Sequence, residues 1–320
     1  MTALPKSEPD SRLEIIQLRS LQPGPRLIVT GAVHGNETAG TIAIRRMIEE
    51  LRNKDLARGS VTFVPIVNVR AYNLGQRAVD ANLNRDLREH AAPVTYEDHV
   101  ANVICPLLRE HDVLLDLHSF RRGDFPFVLV GPVNNTGEIE PFNRQAEEQA
   151  LALALGLEHM VYGWLTANGA AAIGREAALG GAPANVSHGV GMTEYMRSQG
   201  GYALTVECGQ HDDPNGPEVG YQMIAATLGH LGIVTDWPPR PRPRVTGIRI
   251  AAALLKQQED ETLAADFQNF DKLAAGDVIT QTRAGPAQRA PSDGYILFPA
   301  QHSSVGDKMA YFAEPSARFG

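Results

Sequence analysis

Two histidines and a glutamate draw attention because each follows closely on an apolar stretch. In GAVHGNETAG (residues 31–40), His34 comes at the end of the run RLIVTGAV and Glu37 lies three residues further on. In VLLDLHS (113–119), His118 again follows directly on an apolar run. Imidazole nitrogen and carboxylate oxygen are both zinc donors, and a catalytic zinc takes three protein ligands while keeping one position open. His34, Glu37 and His118 are therefore candidate ligands for a single Zn2+ per chain, although another divalent ion could substitute. Asp116, two residues before His118 on the same strand face, either orients that imidazole from behind or faces the edge of the core. The alternative is purely structural: His34 ends a strand, Asn36 caps the next helix, and Glu37 complements that helix's N-terminus.

A second carboxylate follows an apolar run in ALTVECGQ (203–210), where Glu207 closes the hydrophobic stretch. Such a group is costly to bury unless it is solvated, paired or functional. Beside a metal-activated water it could accept the proton and pass it to a leaving amine; otherwise it is a salt-bridged strand end. Between the two metal segments, GQRAVDANLNRDL (75–87) gathers Arg77, Asp80, Asn82, Asn84 and Arg85. The planar guanidinium can grip a carboxylate with two bonds or polarise a carbonyl oxygen. In an acidic chain this concentration reads as a pocket for an anionic substrate, or else as a solvated loop with ordinary ion pairs.

Chemistry of this kind needs strands whose ends converge. Continuous β-branched or leucine-rich runs predict buried strands at 26–33, 60–67, 112–117, 126–130 and 202–207, the second interrupted by Pro65. Helical spacing of apolar residues predicts helices from about Thr38 and over 97–110, 141–155 and 217–231. The alternation predicts an α/β domain with a mixed, largely parallel central sheet flanked by helices, and in such sheets ligands bind at the carboxyl ends of the strands. Residues 163–191, crowded with Gly and Ala, predict an irregular segment with a short helix near 174–179. DWPPRPRPR (236–244) can form neither helix nor central strand and reads as a linker. The expected organisation is a catalytic domain over 1–235, the linker, and a small β-rich domain over 245–320, whose Gly-Asp turns punctuate short apolar runs.

Composition narrows the class. With 320 residues, 43% hydrophobic, the chain can bury a large core, and its net charge of -8 argues against a nucleic-acid binder. No run reaches membrane-span length, and the N-terminal MTALPKSEPDSR lacks the apolar core of a signal peptide, so a cytoplasmic protein is expected. Cys105 and Cys208 read as buried free thiols, as suits a reducing compartment. Most remaining histidines, among them His90, His99, His111, His230 and His302, are expected at the surface.

Taken together, H-G-N-E at 34–37, N-L-N-R at 82–85, D-L-H-S at 116–119 and V-E-C-G at 206–209 resemble the succinylglutamate desuccinylase/aspartoacylase family of zinc carboxypeptidase-like enzymes. The resemblance spans roughly residues 25–235 in order and spacing. It implies that His34, Glu37 and His118 hold zinc and that Glu207 is the base that activates water. It further implies that Arg77 polarises the scissile carbonyl, that Asn84 and Arg85 bind the substrate carboxylate, and that Arg197, in YMRSQGGY, holds an acidic side chain. Tyr311, in MAYFAE, matches a tyrosine that reaches the site from the C-terminal domain. Asn82 departs from aspartoacylase, which has an acidic residue there. The C-terminal segment resembles a barrel-sandwich hybrid module without a lysine at its central turn, which suggests a lid or an oligomer contact. The expected reaction is deacylation, acetyl or succinyl type, of a small anionic N-acyl amino acid; a carboxypeptidase acting on short peptides and a non-catalytic ligand-binding relative are the alternatives.

Overall fold

Every residue of VLLDLHSF is buried, and so is RLIVTG after its first residue, because both faces of the strands they form are covered. Leu27, Val29, Val113 and Leu115 point to one hydrophobic cluster, while Ile28 and Leu114 point to another on the opposite face. A continuous apolar run is what such a doubly covered strand requires.

The computed structural model describes residues 12–179, 184–241 and 243–319. It runs through β1 (Ile16–Arg19), β2 (Arg26–Gly31), α1 (Ala39–Leu51), β3 (Ser60–Val64), α2 (Val69–Leu74), α3 (Tyr96–Arg109) and β4 (Val113–Phe120). Next come β5 (Phe127–Leu129), α4 (Gln145–Ala154), β6 (His159–Tyr162), α5 (Trp164–Leu179), α6 (Met192–Ser198), β7 (Tyr202–Gln210) and α7 (Gly216–His230). The rest is strand: β8 (Thr246–Leu255), β9 (Thr262–Leu263), β10 (Lys272–Leu273), β11 (Val278–Thr282), β12 (Gly285–Arg289), β13 (Gly294–Leu297) and β14 (Lys308–Ser316).

Eleven strands make one sheet in the order β1-β3-β2-β4-β7-β5-β6-β8-β14-β13-β10. β3, β2, β4 and β7 are mutually parallel, as are β5, β6 and β8, while β7–β5 and all pairs beyond β8 are antiparallel. α1, α4 and α7 supply the cluster on one face, and α3 and α6 that on the other. The fold is the expected mixed α/β sheet with a β-rich C-terminal part, to which β12-β11-β9 adds a small antiparallel sheet. Strand β8 hydrogen-bonds alongside β6, so the segment after the proline-rich stretch extends the same sheet.

Two expectations need correction. Trp164–Leu179 is a helix of 16 residues rather than an irregular segment; alanine's high helix propensity outweighs its two interior glycines. Gly180 and Gly181 lie outside the described residues. His111 is buried, with its ring nitrogens 2.7 Å from the Leu107 carbonyl oxygen and 2.7 Å from Thr62 Oγ1. Cys105 and Cys208 are free and buried.

Candidate active site

Strand register sets the geometry. In the parallel pair β2–β4, Thr30 lies opposite Asp116, and in β4–β7, His118 lies opposite Glu207. These positions are at the carboxyl ends of adjacent strands. After β2, Ala32 takes φ 47°, a region non-glycine residues seldom enter, and the turn that follows delivers His34. Gly35 lies so close to α2 that a Cβ there would meet the Ala71 carbonyl carbon at 2.1 Å, so this position of the H-G-N-E motif demands glycine.

His34, Glu37 and His118 converge: one ligand atom from each lies within 4.8 Å of the others, and all three are buried. Among the described residues this is the group of His, Cys, Asp and Glu side chains that could hold a metal ion. His118 Nδ1 lies 2.8 Å from Glu37 Oε2, and His34 Nδ1 lies 2.9 Å from Glu37 Oε1. The latter contact lacks hydrogen-bonding geometry, leaving the buried His34 Nδ1 without a hydrogen-bond partner.

The opposite ring nitrogens are held from behind. His118 Nε2 donates to Asp116 Oδ2 at 2.7 Å, and Thr30 Oγ1 donates to Asp116 Oδ1 at 2.6 Å. His34 Nε2 lies 3.0 Å from Asn82 Oδ1, which also accepts from the Asn84 backbone N–H at 3.0 Å. Both outer partners are acceptors that take a hydrogen bond from Nε2, so both Nδ1 atoms face Glu37, the orientation that outer partners impose on metal-binding imidazoles. Asp116 thus orients His118; Thr30 and Asn82 complete the support.

Electrostatics favour a cation at this point. Burial keeps the His34 imidazole neutral, down to about 4. Burial opposes a charge on Glu37, but His34 and His118 outweigh it and hold its carboxyl well below the usual range. For His118, Asp116 and Glu37 overcome burial and favour a positive charge. Glu207 differs: burial pushes its carboxyl up to about 8, and its Oε2 has no hydrogen-bond partner. Two orphaned polar atoms, His34 Nδ1 and Glu207 Oε2, beside a His/Glu/His donor set fit a divalent ion with a reacting group next to it.

The 75–87 loop closes over this cluster. Arg77 Nη1 donates to Glu37 Oε1 at 2.9 Å, from a side chain 41% exposed. Asn84 Oδ1 accepts from the Met192 backbone N–H at 2.8 Å, directly against Gly191. The Arg85 guanidinium bonds the Asn84 carbonyl oxygen at 2.6 Å and lies 4.9 Å from the Trp164 ring centre. The loop is anchored by Glu97 of α3, a buried carboxylate that accepts from the backbone N–H groups of Val79, Asp80 and Ala81 and from Asn68 Nδ2, at 2.7–3.1 Å. In the sequence Glu97 is one charge among several near a helix N-terminus, and no local pattern marks it out.

Tyr311, on β14, is fully buried and donates to Asn168 Oδ1 at 2.9 Å; burial pushes its phenol up to about 12, against the opposing charge of nearby Arg85. Arg197 is not brought to the centre. Its guanidinium is buried beside the start of β7, bonding Glu148 at 2.7 Å, Glu140 at 2.8 Å and the Ala203 carbonyl oxygen at 2.6 Å. In place of the contact expected with a substrate, three of its five N–H donors are held in an internal network with two carboxylates and a backbone carbonyl oxygen.

A largely parallel sheet with a His/Glu/His cluster at its carboxyl edge, backed by an aspartate and flanked by a buried glutamate, defines an α/β class with a candidate metal site. The chain belongs to the succinylglutamate desuccinylase/aspartoacylase family: the profile for the succinylglutamate desuccinylase/aspartoacylase catalytic domain matches residues 23–227. Over 102 residues it is 33% identical to the N-alpha-acetyl-L-2,4-diaminobutyric acid deacetylase of Halomonas elongata, a match spanning 30% of this chain and 29% of that protein. The crystal structure of a succinylglutamate desuccinylase/aspartoacylase from Rhodobacter sphaeroides superposes with a TM-score of 0.71 at 20% identity, covering 95% of this chain and 89% of that one. The succinylglutamate desuccinylase of Vibrio parahaemolyticus gives 0.70 at 17% identity, covering 94% and 86%. These structural likenesses establish the fold.

Proposed function

We propose that this chain hydrolyses the amide bond of a small N-acyl amino acid at a single zinc site formed by His34, Glu37 and His118. The observation that carries the reading is the convergence of these three ligands within 4.8 Å, with Glu207 in register beside His118. Family membership and the deacetylase relative support the reaction class. When bound, zinc supplies Lewis acidity toward the amide carbonyl and toward water.

The side chains then have separate tasks. Glu207 accepts a proton from the attacking water and returns it to the departing nitrogen; its buried position, with one oxygen unpartnered, suits both transfers. Arg77, partly exposed above the ligands, offers its guanidinium to the carbonyl oxygen as negative charge builds there. Asn84 has its side-chain oxygen committed to Met192, which leaves the amide nitrogen to donate to a substrate carboxylate. Arg85 is the charged partner for that carboxylate, with Tyr311 behind it on the C-terminal strand.

The test is a screen of zinc-loaded protein against N-acetyl, N-succinyl and N-formyl amino acids beside short peptides. Release of free amino acid from the acylated set, abolished by chelation and restored by zinc, is the expected result. Cleavage confined to peptides, or no turnover of any substrate, contradicts the proposal.

A further inference from the structure

The segment that carries Asn84 and Arg85 is held at two points by the turn 190–192, which leads into α6. The Met192 N–H donates to Asn84 Oδ1 at 2.8 Å, and the Val190 carbonyl oxygen accepts from the Leu87 N–H at 3.0 Å. Arg85 lies between these two attachments. At Gly191 a Cβ would come within 2.0 Å of Asn84 Oδ1, so the Asn84 side chain rests directly on the backbone of the turn.

What holds the turn is Glu194. Its Oε2 accepts from the Gly191 N–H at 3.0 Å, closing the turn onto the first residues of α6, and its Oε1 accepts from Thr193 Oγ1 at 3.1 Å. Glu194 is buried, a placement that is costly for a carboxylate unless its oxygens are bonded, as both are here. Arg197, three residues on, brings Nη1 to 3.5 Å from the same Oε1. Arg197 is itself fixed by Glu148 of α4, by Glu140 and by the Ala203 carbonyl oxygen of β7, so α6 is tied to the sheet behind it. The Glu194 charge also acts attractively on Arg85.

We propose that Glu194 is a positioning residue for substrate binding: through the turn 190–192 it sets where Asn84 and Arg85 present their donors, with Arg197 securing it from behind. This rests on the reading that Asn84 and Arg85 bind a substrate carboxylate. It gives Arg197 a task exerted through α6 rather than on the substrate. Without the Glu194 carboxylate the Gly191 N–H loses its acceptor, the turn loosens, and Asn84 loses the bond that reserves its amide nitrogen for a ligand. Affinity falls, while the proton transfers assigned to Glu207 keep their geometry.

The experiment applies two readouts to zinc-loaded Glu194→Ala and Glu194→Gln proteins. Alanine removes both acceptors, whereas glutamine keeps an oxygen for the Gly191 N–H. In either variant Arg197 retains Glu140 and Glu148 to hold α6 in the fold. Hydrogen exchange reads the hold itself and needs no substrate: Glu194→Ala should speed exchange at Leu87 and Met192 about tenfold or more, with the segments around His34 and His118 unchanged and Glu194→Gln close to wild type. Kinetics follow with the N-acetyl amino acid that the wild type turns over best. There Glu194→Ala should raise KM about tenfold while kcat stays within about twofold, and Glu194→Gln should restore most of the affinity. Unchanged exchange at Leu87 and Met192, exchange that rises equally around His34 and His118, or a KM that does not move overturns the assignment. Turnover of no N-acyl amino acid by the wild type refutes the deacylase reading instead, and the exchange result then decides by itself whether Glu194 holds the 84–87 segment.

Discussion

Glu207 is buried, which disfavours its charged form and pushes its carboxyl up to about 8. A group so placed moves protons readily. Glu207→Gln should leave zinc content near normal, because the ligand trio is intact, and lower kcat by about 100-fold or more; metal analysis beside a turnover assay checks both. Lys308 makes a prediction of a different kind. Burial, then Arg85 and Arg77, depress its amine from the usual 10.5 to about 7. Between those values the unfolded chain binds a proton that the folded chain does not, so this residue's cost falls as pH rises from about 7 and is fully present below it. Lys308→Met should therefore stabilise the protein most in acid, a difference that urea unfolding near about pH 6 and about pH 9 would reveal. At this scale the sequence displays the clustered side chains well, since His34, His118 and Glu207 each follow an apolar run. Thr30 and Asn82 are not legible in the same way, because their roles arise from strand register and loop closure. Arg197 shows the limit of spacing: the same residue serves a buried ion-pair network when Glu140 and Glu148 stand nearby.

The loop of residues 75–87 has almost no regular structure, and Glu97 of α3 is what fixes it. Replacing this carboxylate with alanine leaves the N–H groups of Val79, Asp80 and Ala81 and the Asn68 amide without their acceptor. Glu97→Ala should cost about 2–4 kcal/mol in denaturant unfolding and raise KM more than it lowers kcat, since Asn84 and Arg85 lose their support. A KM left unchanged would separate the loop from substrate binding. Elements with strong local signals were legible, β2 and β4 through their apolar runs and β3 through its stop at Val64, just before Pro65. The helix Trp164–Leu179 was not, since its glycines mask a high alanine content. β1 and β6, four residues each, owe their conformation to pairing with β3 and β5.

Across the whole molecule, one sheet joins the half that carries the His/Glu/His cluster to the C-terminal strands, which bring Tyr311 and Lys308 near Arg85. The proline-rich stretch predicts a break in the chain, but the partner of β8 is a strand far back in sequence, and no local window contains that pairing. Removing residues 245–320 would uncover Phe127 and Val161, which pack in one cluster with Ile248 and Tyr311. The truncated chain should aggregate or bind the dye ANS; a soluble, fully active truncation would show that the C-terminal strands serve neither core nor site. The account as a whole depends on three side chains sharing one cation. Its most direct test is zinc analysis of the purified chain beside its His118→Ala variant. About one zinc per wild-type chain, lost in the variant while its far-UV spectrum stays native, is predicted. A wild-type chain without bound divalent metal after zinc loading, or a variant that retains the wild-type stoichiometry, would contradict it.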